Sequence, residues 1–162
     1  MTDPNFQTPT TNPFGLSDVG FSASPTFADL DADGDLDAVI GNNAGDTLYF
    51  ENTGSASSPA FTSAATNPFG LSNVGNYASP TLADLDADGD LDAVIGNSAG
   101  DTLYFENTGS ASSAAFASAA SNPFGLSEVS NYVAPIFADL DGDGDLDAVI
   151  GNNAGDTLYF EN

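Results

Sequence analysis

The sequence contains no Lys, no Arg, no His, no Cys and no Trp among its 162 residues. Without a cationic side chain nothing can displace phosphate counterions, so nucleic acid is excluded as a partner. An anionic membrane surface would repel the chain for the same reason. Without His, Lys or Cys there is no ordinary base or strong nucleophile, and without Arg no clamp for an anion, so an enzyme is not expected. The absence of Cys removes disulfides and thiolate metal sites while leaving the redox compartment open. No apolar run approaches the roughly 18 to 20 residues of a spanning helix. Met1-Thr2-Asp3-Pro4 opens without the basic and apolar regions of an export signal.

What is present is acid and apolar surface. The formal charge is −24, yet 41% of the residues are hydrophobic, with twelve Phe and five Tyr, enough for a core. Fifteen of the 24 acids lie in three stretches, Asp29 to Asp37, Asp84 to Asp92 and Asp139 to Asp147. The first two read DLDADGDLD, and the third differs only in Gly142. The acidity is therefore local, unlike that of a disordered acidic tail.

The three stretches recur at a spacing of 55 residues, as do Pro25, Pro80 and Pro135, and the NPFGLS segments that begin at Asn12, Asn67 and Asn122. Such a period marks stacked or radially arranged units, none of which can bury its own face. The near-identity of the units points to recent duplication or deliberate construction. Within a unit, Pro59 to Phe69, Tyr77 to Leu85, Leu91 to Asn97 and Thr102 to Asn107 each read as a strand, the third apolar enough to be buried on both faces. Helical spacing is nowhere sustained. The expected fold is all-β: a β-propeller with three four-stranded blades of 55 residues per chain, at about 4–53, 59–108 and 114–162. One blade takes its outermost strand across the chain junction.

In the acidic stretch, residues at i, i+2 and i+4 share a face in extended chain, so Asp29, Asp31 and Asp33 can converge once the chain curls, and Gly34 allows the turn back. The carbonyl of Asp35 and the carboxylate of Asp37 can complete a hard oxygen shell of the kind calcium prefers. An EF-hand is excluded, because its twelfth position would be Ile40 in place of a bidentate Glu and no helix flanks the loop. Two like charges 4 Å apart repel by about 1 kcal/mol in water and about 4 kcal/mol at an effective dielectric of 20, and each loop holds several such pairs. Without a cation the loop pushes its own strands apart.

ADLDADGDLDAVIGN followed by GDTLYFENTG resembles the FG-GAP and VCBS-type repeats of integrin-α-like propellers. The resemblance implies calcium, three ions per chain. Its ligands would be the side chains of Asp29, Asp31, Asp33 and Asp37 with the Asp35 carbonyl; Asp84, Asp86, Asp88 and Asp92 with that of Asp90; and Asp139, Asp141, Asp143 and Asp147 with that of Asp145. It also implies an extracellular or cell-surface setting. The name-giving elements stand here as Phe69-Gly70 and Ala78-Ser79-Pro80, a departure, so integrin-type ligand recognition is not carried over.

The recurrent Phe14, Phe69 and Phe124, and Phe50, Phe105 and Phe160, read as core between blades. Glu51, Glu106 and Glu161 recur identically, which marks a structural position, since an active site is normally built once. The expected function is a calcium-binding, non-catalytic scaffold of the adhesion type, or a repeat fragment that self-assembles. The alternative is a lectin-like binder of glycans, or a protein binder, using Asn76-Tyr77 and Asn131-Tyr132. Pro4 to Gly15 matches Pro59 to Gly70, so the sequence opens on an outermost strand and stops after the third TLYFEN without one. Two chains exchanging these strands give a six-bladed homodimer, within the common range of four to eight blades; a homotrimer would give nine.

Overall fold

A computed structural model describes residues 4–162; Met1 to Asp3, read above for an export signal, lie outside the described residues. Among the described residues, eleven short strands form three antiparallel sheets. The first comprises β1 (Ser24–Ala28), β2 (Asp37–Gly41), β3 (Thr47–Phe50) and β4 (Ala65–Thr66), in that spatial order. The second repeats it with β5 (Ser79–Ala83), β6 (Asp92–Gly96), β7 (Thr102–Phe105) and β8 (Ala120–Ser121). The third holds β9 (Ala134–Ala138), β10 (Asp147–Gly151) and β11 (Thr157–Phe160), and among the described residues no fourth strand pairs with β11. The only helical turns among the described residues are three-residue ones, Pro13–Gly15 and Pro68–Gly70. Among the described residues no helix is long and apolar enough to cross a membrane.

The second strand of each sheet is its spine. Asp92 to Gly96 is buried along its whole length, as is Asp37 to Gly41, which is what a branched apolar run flanked by strands on both sides predicts. In register, Pro25 faces Ile40 and Phe27 faces Ala38, while Ala38 faces Phe50 across the other side. The stretch read as one strand from Pro59 to Phe69 is more broken. Only Ala65–Thr66 pairs continuously, and Phe61 bridges back to Asn52. Pro59, Pro68 and a run of small residues between them leave little to pack along a continuous ladder.

The core lies largely between sheets. Leu30, Val39 and Tyr49 of the first unit cluster with Leu71, Val74, Ile95 and Phe105 of the second. The backbones approach closely there: a Cβ on Gly41 would meet the Ala78 carbonyl oxygen at 2.1 Å, and one on Gly96 the Val133 oxygen at 2.2 Å. Only glycine fits this seam. Two hydrogen bonds cross each junction in the same way, Ala78 N to Asn42 O with Val74 N to Gly45 O, and Val133 N to Asn97 O with Val129 N to Gly100 O.

Candidate metal centres

Each acidic loop connects the first two strands of its sheet, so β1 delivers the chain to Asp29 and β2 begins at Asp37. Between them the backbone curls through Ala32, at φ 58°, and Gly34, at φ 96°. The curl folds the carboxylates onto the loop's own amides. Asp29 accepts from Asp33 N at 3.2 Å and Gly34 N at 3.1 Å, and Asp33 accepts from Asp35 N at 3.0 Å. The second loop repeats these distances.

The result is convergence of three carboxylates in every loop. Asp29, Asp31 and Asp33 offer one oxygen each, all within 4.8 Å of one another, as do Asp84, Asp86 and Asp88, and Asp139, Asp141 and Asp143. No side chain in the sequence could neutralise them. The donor set fits a hard divalent cation, which takes carboxylate, carbonyl and water oxygens. Burial, then repulsion chiefly from Asp37, pushes the Asp31 carboxyl above the ordinary carboxylate range.

The remaining two acids of each loop sit differently. Asp37 is almost wholly buried and already engaged: Oδ1 accepts from Asn52 N at 2.8 Å, and Oδ2 from Leu30 N at 3.2 Å and the Tyr49 hydroxyl at 3.0 Å. Asp92 has the same three donors, Leu85 N, Tyr104 and Asn107 N. Asn162 N and Leu140 N donate to Asp147. These aspartates tie the loop to the third strand. Asp35 and Asp90 are buried as well, and one carboxylate oxygen of each has no partner. Burial first, then the other loop carboxylates, raises both above their usual range. An unpartnered buried anion is costly, so this is where a nearby cation relieves the most.

The tyrosine and asparagine partners were not legible as such in the sequence. Their signal was present in the fixed recurrence of Tyr49, Tyr104 and Tyr159 at one offset from the ninth-position aspartate. The Tyr159 hydroxyl is pushed up to about 12 by desolvation and by Asp147, and burial with the adjacent aspartate drives Tyr49 and Tyr104 higher still. All three stay protonated, and Tyr49 and Tyr104 donate to their aspartates.

A family model described as an FG-GAP-like repeat matches the chain twice, over residues 29–95 and 84–150. The chain belongs to the FG-GAP-like repeat family. Each match begins on the first carboxylate of an acidic loop, Asp29 or Asp84, and ends in the spine strand of the following unit, so the FG-GAP-like repeat takes in two of the loops described above. No curated protein and no solved structure matches the chain at a significant level.

Proposed function

We propose that the chain is a non-catalytic, calcium-binding repeat module that serves outside the cell as a structural scaffold of the adhesion or display type. The observation that carries this reading is the threefold convergence of carboxylates within 4.8 Å in a chain without a single cationic side chain. Asp29, Asp31 and Asp33 would hold the ion with the Asp35 carbonyl and Asp37, and the other two loops would do so with their equivalents. Calcium, when bound, supplies the positive charge that the sequence withholds. The protein's own residues do the rest: the loop amides aim the carboxylates, and Asp37, Asp92 and Asp147 fasten each loop to its sheet. Binding to the folded state alone then stabilises it by mass action.

The carbohydrate reading rests on Tyr77 and Tyr132, whose rings pack edge to face on each other with centroids 4.6 Å apart. Each is thereby engaged by its neighbour, which favours a structural role over a sugar-stacking one. A thermal melt in calcium and in chelator tests the proposal. The midpoint is expected to rise with calcium, and an unchanged midpoint would reject a structural ion. A glycan array run with and without calcium separates the scaffold from the lectin.

A further inference from the structure

Phe6, Phe61 and Phe116 occupy one position of the 55-residue repeat, and Phe6 alone lacks the surroundings that the other two share. Phe116 is buried with Leu71, Ala93 and Phe105, and Leu82 and Leu91 pack against that cluster. Phe61 lies in the first unit beside Phe27, ring centroids 6.4 Å apart. Phe6 is 94% exposed. In the third unit the residues equivalent to the Phe116 cluster are Leu126, Phe137, Leu146, Ala148 and Phe160, and they line a cavity of about 160 Å³. The structure thus holds a phenylalanine without a pocket and a pocket without its phenylalanine.

The backbone shows the same pairing of unmet halves. Ala65–Thr66 pairs with Tyr49 and Leu48 of β3, and Ala120–Ser121 with Tyr104 and Leu103 of β7. The equivalents, Thr10–Thr11 and the outer edge of β11, are both unpaired. Asn12 already holds the left-handed conformation of Asn67, φ 46° in both. Asn67 and Asn122 exchange two hydrogen bonds with Thr47 and Thr102, and their amides donate to Asp46 and Asp101. Asn12, Thr157 and Asp156 are the matching set.

The sheet face of the third unit is open in the same sense. Gly41 and Gly96 abut the next unit, whereas a Cβ on Gly151 would meet nothing within 4 Å. Gly45 and Gly100 are equally crowded, and Gly155 equally free. Tyr49 and Tyr104 are buried, but Tyr159 is 49% exposed.

We propose that a second copy of this chain docks on the third sheet, its residues 5–12 adding the fourth strand to β11 and its Phe6 filling the cavity beside Phe160. The junction repeats one that the chain makes twice internally, so its contacts are specified residue by residue. Ala23 N and Val19 N of the second copy meet Asn152 O and Gly155 O, as Ala78 and Val74 meet Asn42 and Gly45. Made reciprocally, it joins two copies of three units into a six-bladed ring with two-fold symmetry and no free sheet edge. One position would lack a bond that the first internal junction makes, as the second already does with Glu128 beside Asp101. Asn73 donates to Asp46 Oδ1 at 2.7 Å, while its equivalent Asp18 would face Asp156, carboxylate against carboxylate.

Native mass spectrometry or light scattering over a concentration series, in calcium, tests the proposal. The expected mass is twice 16.4 kDa. Phe6 is exposed and a Cβ added at Gly151 meets nothing in the single copy, so Phe6→Ala and Gly151→Ala should both fold normally while raising the dissociation constant by about a hundredfold or more. Asp18→Asn, which restores the pattern of Asn73, should lower it. A single-copy mass throughout the series, a mass of three chains, or variants Phe6→Ala and Gly151→Ala that associate like the parent would each overturn the proposal.

Discussion

The hydroxyl of Tyr104 donates to Asp92 Oδ2 at 3.1 Å, joining two buried side chains of adjacent strands at the exit of the central acidic loop. Tyr49 and Asp37 make the same bond in the first unit. Hydrogen bonds to a charged, buried acceptor contribute about 1.5–3 kcal/mol. Tyr104→Phe should therefore destabilise the fold by about that amount in urea titration. A loss below about 0.5 kcal/mol would show that Asp92 is held well enough by Leu85 N and Asn107 N alone.

Each loop draws its converging carboxylates from its own nine residues. Asp86→Ala should remove one ion and leave two, read as a calorimetric stoichiometry that falls from three per chain to two. Loss of all binding in a protein that remains folded would contradict the independence of the loops.

Without calcium, acid should stabilise the protein before it denatures it. Asp31, Asp35, Asp90 and Asp92 all lie above the usual carboxylate range, chiefly through burial. A carboxyl with a raised folded pKa binds protons more tightly in the folded state, so its contribution is complete below the unfolded pKa and is lost as pH rises through the folded one. Asp147, lowered chiefly by the Asn162 amide, acts in the opposite sense. In chelator the melting midpoint should climb as pH falls from neutrality toward the carboxylate range. In calcium the trend should reverse, because protons then compete with the ion. Parallel trends in the two buffers would mean that the loops do not bind metal.

Ala32 and Ala87 sit at φ 58° and 60°, and the third loop has Gly142, at φ 82°, in their place. A left-handed alanine is strained by about 1–2 kcal/mol, part of which glycine returns as entropy lost on folding. Ala87→Gly should raise stability by up to about 1 kcal/mol in urea titration, with ion stoichiometry unchanged. A loss of stability would show that the strain is absorbed elsewhere in the loop.

Much of this was legible because the repeat states the same pattern three times. The spine strands follow from Leu-Asp-Ala-Val-Ile-Gly-Asn, and the convergence of Asp29, Asp31 and Asp33 from their alternate spacing and the glycine that follows. What escaped was partnership. Periodicity assigns Tyr104 to a face of its strand without revealing that its hydroxyl reaches Asp92. Nor does an acidic run disclose that Asp37 spends its oxygens on three donors while an oxygen of Asp35 has none. The fourth strand was read too long because small residues with strand-compatible spacing pair only where a neighbour offers an edge, and here that edge serves Ala65–Thr66 alone.

The glycine seam at Gly41 and Gly96 has a consequence for how such a chain can grow. A duplicated unit carries both sides of its joint with it, the crowded glycine and the carbonyl that crowds it. Lengthening by whole units therefore requires no new surface to be invented, whereas a single added methyl group at the seam would be repeated as a defect in every copy made from it.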